Sequence, residues 1–217
     1  MSVPISEKHP PERIELLREI DTESECITAC LYRGFVYVGL NNGQVFKSDE
    51  QNRVSVFVKL DQGISSIRGF EGRIFVLTGQ SRQPYNMYVY DTNAQLLASC
   101  KYSNNSQYFQ GNKLVIDHKT VSLIDQQCEK ILVFNPTGEK ISQTQCPNIN
   151  DESEVVLCPG PQGSIIVSHL DNDQIFRLNM QTGKEEWMCK HVVASPQGVT
   201  RYGDKYLQVT NKRSDRT

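Results

Sequence analysis

The chain has 217 residues, 38% of them hydrophobic and 22% charged, with a formal net charge of -2 and a sequence pI of about 6.1. This composition supplies a folded core and excludes a wholly disordered chain. A surface that grips nucleic-acid phosphates usually carries a basic excess, so general nucleic-acid binding is disfavoured.

The N-terminal segment is polar and lacks the apolar stretch of a secretory signal, and no run of about 18 apolar residues follows it. We therefore predict a cytoplasmic protein without a membrane segment, in which residues 1–13 are disordered. Residues 11–20, PERIELLREI, allow two interpretations. They form a short helix, or they form a strand that closes a ring of sheets by completing the last sheet at the other terminus.

Four segments with one shared pattern follow, each an alternating apolar strand, a polar turn and a second strand. They are VFKSDEQNRVSVF from Val45, MYVYDTNAQLLAS from Met87, ILVFNPTGEKISQ from Ile131 and IFRLNMQTGKEEW from Ile175. Their starts at 45, 87, 131 and 175 are 42, 44 and 44 residues apart. A fixed period of about 20 to 50 residues indicates a repeat architecture. The Asn, Asp and Gly residues in the turns tolerate positive φ or bond their own backbone.

Two more short strands, joined by a glycine-bearing turn, precede each of these hairpins. The same pair of strands occurs once more near the C-terminus. The turn glycines are Gly34, Gly72, Gly111, Gly163 and Gly203. Four strands in about 40 to 45 residues are the content of one β-propeller blade.

The sequence therefore predicts an all-β protein, a β-propeller of four-stranded antiparallel blades. Four complete blades are expected over about 25–60, 62–101, 105–146 and 153–189, with a partial fifth starting near Ser195. We predict one propeller domain over residues 14–217, truncated at its C-terminus, from a propeller of five or six blades.

Cysteine is present at seven positions, an odd number, without a C-x-x-C pair or a histidine spacing typical of zinc sites. Free thiols in a reducing compartment are predicted. Four of them lie in or near apolar strands and are expected to pack as small apolar groups instead of acting as nucleophiles: Cys26, Cys30, Cys158 and Cys189. The cysteines are Cys26, Cys30, Cys100, Cys128, Cys146, Cys158 and Cys189.

His169 ends a predicted strand and is followed closely by Asp171, Asn172 and Asp173. A histidine beside carboxylates can hold a metal or act as an acid–base pair. Asp and Asn at a strand end more often make a turn, and we adopt that interpretation. No metal and no cofactor are therefore expected.

Three polar loops differ from their counterparts in the other repeats: 81–86, 102–108 and 211–213. Loops on a rigid scaffold carry recognition, and Tyr and Arg are frequent anchors of protein interfaces. The candidate partner-binding residues are Arg82, Tyr85, Tyr102, Tyr108 and Arg213.

A short C-terminal stretch resembles an NHL repeat, in PQGV at 196–199, YGDKYLQVTN at 202–211 and SDR at 214–216. The resemblance is to the C-terminal propellers of tripartite-motif proteins, and it implies a propeller that selects a partner in a ubiquitin-pathway protein. The blades from Cys26 to Cys146 lack the P-x-G-V opening. The chain has no RING, B-box or coiled-coil pattern, so ligase chemistry is not carried over.

A second stretch, TGKEEW at 182–187, is similar to the T-G-x-x-x-W docking motif of quinoprotein-like blades. Trp187 is the only tryptophan, so the motif occurs once where that family repeats it. The cofactor residues of that family have no positions here to match.

Together these features favour a non-catalytic platform that binds a protein partner, and they leave the oligomeric state open. Two alternatives remain. One is a divalent-metal-dependent lactonase or esterase built on a six-bladed propeller. The other is an RNA-binding NHL propeller, which requires a basic loop face.

Overall fold

The repeated segments form antiparallel sheets in a computed structural model of the chain. The structure describes residues 24–79, 85–102, 114–116, 119–125, 130–146, 155–169, 172–180, 182–190, 196–202 and 206–211. The predictions for residues 1–13 and 11–20 fall outside this part of the chain. Within it, no helix is long and apolar enough to cross a membrane.

Four sheets have four strands each, and we number them as blades 1 to 4. Blade 1 contains β1 (Cys26–Tyr32), β2 (Phe35–Leu40), β3 (Gln44–Ser48) and β4 (Val54–Lys59). Blade 2 contains β5 (Ile64–Phe70), β6 (Arg73–Thr78), β7 (Tyr85–Asp91) and β8 (Leu96–Tyr102). Blade 3 contains β9 (Leu114–Ile116), β10 (Val121–Asp125), β11 (Lys130–Phe134) and β12 (Lys140–Gln145). Blade 4 contains β13 (Val155–Pro159), β14 (Ser164–His169), β15 (Gln174–Asn179) and β16 (Glu185–Lys190), with a short 3-10 turn at Pro161–Gly163.

A fifth sheet has two strands, β17 (Pro196–Tyr202) and β18 (Tyr206–Asn211). In every sheet the strands pair in chain order. The first strands of successive sheets lie side by side, from β1 through β5, β9 and β13 to β17. This radial arrangement is that of a β-propeller, and the predicted fold class is confirmed.

The core lies between the blades, since each sheet buries apolar side chains against the next. Tyr37 and Phe57 of blade 1 pack on Ile67 and Tyr90 of blade 2, and similar clusters join the later blades. Each large apolar side chain buried this way stabilises the fold by about 1.5 to 3 kcal/mol. The contact between neighbouring sheets is therefore the main source of stability.

Blade 1 exposes apolar side chains on its first and fourth strands. They are Ile27 and Leu31 on β1, and Val54 and Val56 on β4. Val38 and Leu40 on β2, by contrast, are buried.

Glycine makes the tight turns between the first and second strands, as the sequence predicts. Arg33 and Gly34 have φ of 51° and 78°, and Glu71 and Gly72 have 45° and 78°. Two successive positive φ values define the two-residue turn that fits the twist of a hairpin. Gly111 and Gly203 lie outside the described residues.

The turns between the third and fourth strands have the predicted Asx chemistry. Asp49 accepts the backbone N–H of residues 51 and 53, Asp91 that of 93 and 95, and Asn135 that of 137 and 139. A single carboxylate or amide oxygen therefore closes each turn. The pattern repeats in blades 1 to 3, while in blade 4 Asn179 Oδ1 accepts the backbone N–H of Thr182.

Candidate functional site

Strand topology divides the connections between two ends of the sheets. The turns between the first and second strands and between the third and fourth strands lie at one end, which we call the hairpin end. The connections between the second and third strands, and from one blade to the next, lie at the opposite end, which we call the loop end. The loops that carry the predicted partner-binding residues all leave from the loop end.

Tyr85 and Tyr102 lie directly opposite each other in the register of β7 and β8, at the loop end of blade 2. Their backbones are described, while their side chains are not. Arg82, Tyr108 and Arg213 fall outside the described residues, as do Cys128 and the side chains of Trp187 and Cys189. The structure therefore places the backbones of Tyr85 and Tyr102 opposite each other. The other three candidate residues stay predictions.

A partly buried polar network lies beneath these strand ends. Gln62 Oε1 accepts hydrogen bonds from Thr78 Oγ1 at 3.1 Å and from Asn86 Nδ2 at 3.0 Å. Gln62 lies on the connection from blade 1, Thr78 ends β6 and Asn86 is the second residue of β7. Shared hydrogen bonds of this kind rigidify the segments they join. The loop that joins β6 to β7 is thus held at both of its ends.

A shallow cleft of about 190 Å³ lies at the hairpin end of blade 1, between its two turns. No sequence motif marks this cleft, although both of its turns carry charged residues. Its lining residues are Arg33, Gly34, Phe35, Asp49, Glu50, Gln51 and Arg53.

Charge in the cleft is balanced. The Arg53 guanidinium pairs with Asp49 Oδ2 at 2.6 Å. The backbone N–H of Arg53, with the guanidinium, lowers the pKa of the Asp49 carboxyl. A Cβ at Gly34 would lie 2.8 Å from Glu50 Oε1, so glycine leaves room for that carboxylate.

Lys47 joins the wall of this cleft to the next blade. Its ammonium lies 4.0 Å from the centroid of the Phe35 ring and donates to the Thr92 carbonyl at 2.9 Å. A cation over an aromatic face contributes about 0.5 to 1 kcal/mol at a partly exposed site. Lys47 therefore links the Phe35 wall of the cleft to blade 2, and the cleft itself carries both signs of charge.

His169 is buried at the end of β14, where its Nε2 lies 3.1 Å from Nδ2 of Asn172. Asp173 has a positive φ of 52° in the turn that follows, while Asp171 is outside the described residues. This geometry agrees with the turn interpretation of the segment. Among the side chains that the structure describes, no three His, Cys, Asp or Glu are grouped to hold a metal ion.

Five cysteines are described, and all five are free thiols: exposed Cys26, half-buried Cys30 and Cys100, and buried Cys146 and Cys158. Burial raises the pKa of the Cys30 thiol to about 11, although Arg68 and the Gly69 N–H oppose the shift. A thiol with that pKa stays protonated at neutral pH and is a poor nucleophile. The prediction that these cysteines form no disulfide is confirmed, whereas the expected packing of Cys26 is wrong, because its side chain is exposed.

The fold thus places the chain in the class of β-propellers, and comparison with known proteins agrees. No family model matches the sequence, and no curated protein matches it. Solved structures do resemble it. A catalytically inactive variant of virginiamycin B lyase from Staphylococcus aureus, solved with quinupristin, gives a TM-score of 0.70 at 12% identity over 88% of this chain and 64% of that one.

Two further structures give similar values. A streptogramin B lyase has a TM-score of 0.66 at 16% identity, over 88% of this chain and 63% of that chain. A chain of a mitotic checkpoint complex has a TM-score of 0.63 at 14% identity, over 97% of this chain and 68% of that chain. The chain therefore spans less than two thirds of either lyase, and the likeness is one of fold. The NHL resemblance of residues 196–216 stays a prediction.

Proposed function

We propose that this propeller is a non-catalytic platform that binds a protein partner at the loop end of blade 2. The observation that carries the proposal is the pairing of Tyr85 with Tyr102 at the end where two polar loops leave the sheet. Tyrosines offer large contact area at low entropic cost and are frequent interface anchors.

A hydrogen-bond network at the base of the β6–β7 loop also supports this proposal. The Gln62, Thr78 and Asn86 network ties the base of the β6–β7 loop to the connection from blade 1. A surface held in one geometry loses less conformational entropy when a partner binds. The loop end of blade 2 is therefore suited to specific recognition.

The biological setting of the proposal rests on the sequence. The NHL-like stretch at 196–216 supports a role like that of tripartite-motif propellers, in which this propeller would be part of a ubiquitin-pathway protein. The free thiols support a reducing compartment, and we place the interaction in the cytoplasm.

The test is to capture partners from cytosol on the purified chain and to measure the recovered proteins by quantitative mass spectrometry. A Tyr85→Ala, Tyr102→Ala double variant is expected to lose the specific partner at least tenfold. An Arg33→Ala variant, altered in the cleft at the hairpin end, is the control and should retain it. Equal recovery on both variants contradicts the proposal.

The alternatives give different results in the same preparation. Recovery that disappears after nuclease treatment and depends steeply on salt indicates RNA binding. A stoichiometric divalent ion, with a melting temperature that falls by several degrees in EDTA, indicates the metal-dependent hydrolase. Either result replaces the partner-binding proposal.

A further inference from the structure

The turn between β2 and β3 contains the single Asn–Gly step of the sequence, Asn42–Gly43. Asn42 is exposed at the loop end of blade 1, whereas Gly43 is buried. In an Asn–Gly step the amide nitrogen of glycine reaches the asparagine side chain readily, because glycine has no Cβ to restrict the backbone. The turn therefore carries the groups that spontaneous deamidation requires.

Deamidation of this pair needs only water. The Gly43 nitrogen attacks Cγ of Asn42, an N–Cγ bond forms, the Cγ–Nδ2 bond breaks, and ammonia leaves with the proton of the Gly43 amide. Water then opens the resulting succinimide at one of its two carbonyls. Cleavage at Cγ gives aspartate, and cleavage at the main-chain carbonyl gives isoaspartate, whose main chain runs through Cβ and Cγ. Neither step oxidises or reduces the chain.

The folded turn holds the reacting groups apart. The Gly43 N–H donates to Leu40 O at 3.2 Å. Asn42 Oδ1 accepts the backbone N–H of Gln44 at 3.1 Å, and Asn42 Nδ2 donates to Gln44 Oε1 at 2.9 Å. The amide nitrogen is thus engaged with residue 40 and the side chain with residue 44. Attack on Cγ requires these hydrogen bonds to break, which is a local opening of the turn.

The turn has no spare room against the connection that leads to blade 2. Gly43 O accepts the backbone N–H of Leu60 at 2.9 Å. Gly43 has a positive φ of 85°, and a Cβ there would lie 2.2 Å from Leu60 O and 2.8 Å from Gln62 O. The Gln62 side chain in turn joins Thr78 to Asn86 at the loop end of blade 2. The turn and that polar network are therefore linked through a short stretch of backbone.

We propose that Asn42 is a deamidation site that the folded turn protects, and that its isoaspartate product opens the junction between blade 1 and the connection to blade 2. Isoaspartate adds one main-chain carbon after residue 42, so the bond from Gly43 to Leu40 and the contact of Gly43 with Leu60 no longer fit together. Aspartate adds the same negative charge but keeps the length of the turn. A local opening of blade 1 is thus converted into a lasting covalent change.

The first test compares deamidation of the folded chain with that of the urea-unfolded chain at the same pH and temperature. Peptide mapping with electron-transfer fragmentation identifies residue 42 and separates isoaspartate from aspartate. The folded chain should react at residue 42 at least tenfold more slowly. This reduction should be no smaller than the hydrogen-exchange protection factor of the Gly43 amide, because both reactions require that amide to leave Leu40 O.

Two glutamine variants test whether the turn protects Asn42. Gln44→Ala removes the acceptor of Asn42 Nδ2 and should speed deamidation of the folded chain about threefold or more. Gln51→Ala is the matched control, since the Gln51 side chain bonds Arg53 in the turn between β3 and β4, and it should change the rate less than twofold. Neither variant should alter the rate in the urea-unfolded chain.

The second test concerns the product. The isoaspartate form is purified by chromatography after incubation, and Asn42→Asp supplies the same charge with a main chain of normal length. Amide hydrogen exchange at Leu60 should be at least tenfold faster in the isoaspartate form than in Asn42→Asp. Exchange in β11, two blades away, should be the same in both proteins.

The proposal is overturned if residue 42 deamidates as fast in the folded chain as in the unfolded one, or if both glutamine variants change the rate equally. It is also overturned if the unfolded chain does not deamidate at residue 42, or if the isoaspartate form and Asn42→Asp exchange alike at Leu60. These readouts use the isolated chain and involve neither Tyr85 nor Tyr102, so this proposal and the proposed function fail separately.

Discussion

Removing the hydroxyl of Tyr37 should stabilise the protein. The ring of Tyr37 is fully buried and packs edge-on against Phe57, with centroids 5.2 Å apart. Its hydroxyl has no hydrogen-bond partner among the residues that the structure describes. A buried, unpaired hydroxyl costs about 1 to 3 kcal/mol, and Tyr37→Phe removes it while keeping the ring.

We expect Tyr37→Phe to raise the free energy of unfolding by about 1 kcal/mol, which is about 2 to 4 °C in melting temperature for a chain of this size. The measurement is urea unfolding followed by tyrosine fluorescence and circular dichroism, with a thermal melt of each variant. Equal urea m values would show that the change lies in stability and not in compactness.

Tyr32→Phe is the matched control for this experiment. The Tyr32 hydroxyl accepts the backbone N–H of Gly72 at 2.6 Å, between blades 1 and 2. Its removal leaves that N–H without its acceptor and should lower stability by about 1 kcal/mol. A loss of stability in Tyr37→Phe as large as that in Tyr32→Phe would refute the assignment of an unpaired hydroxyl.

Three further predictions concern the interface between blades 1 and 2. A Cβ at Gly69 would lie 2.1 Å from Cγ of Tyr32, so Gly69→Ala should lower the free energy of unfolding by about 1 to 3 kcal/mol in urea titrations. Iodoacetamide should alkylate exposed Cys26 much faster than Cys30, because burial raises the pKa of the Cys30 thiol to about 11. Peptide mapping by mass spectrometry distinguishes the two cysteines, and equal rates of alkylation would contradict the packing of Cys30. Burial raises the pKa of Tyr37 to about 12, so the folded state keeps a proton that the unfolded state releases, and stability should fall between about pH 10 and 12. The Tyr37→Phe variant should show a shallower fall over that range in urea titrations, and an unchanged slope would exclude Tyr37 as the cause.

Local patterns were enough to predict the blades. The segments found at Val45, Met87, Ile131 and Ile175 lie in the third strands β3, β7, β11 and β15. Alternation along a strand and the Asx chemistry of a turn depend on residues within a few positions of one another. The strand order and the limits of the four blades followed from these patterns because each strand pairs with its neighbour in the chain.

The candidate sites were only partly predictable. Tyr85 and Tyr102 were chosen for residue type and loop position, and the hairpin register then placed them opposite each other. The cleft between Arg33 and Arg53 and the network around Gln62 were missed, because neither has a local sequence pattern.

Contacts between sheets were decided by the tertiary structure alone. Phe57 in β4 and Met188 in β16 occupy equivalent bulges of their blades. The sequence does not show that Phe57 packs on Tyr90, or that Met188 is exposed. One extra residue in an outer strand changes which side chain faces the next blade. The periodic sequence by itself determined the strands, turns and blade repeats of this protein. The packing of one sheet on the next decided which side chains are buried and which surfaces are exposed, because such contacts join residues far apart in the chain.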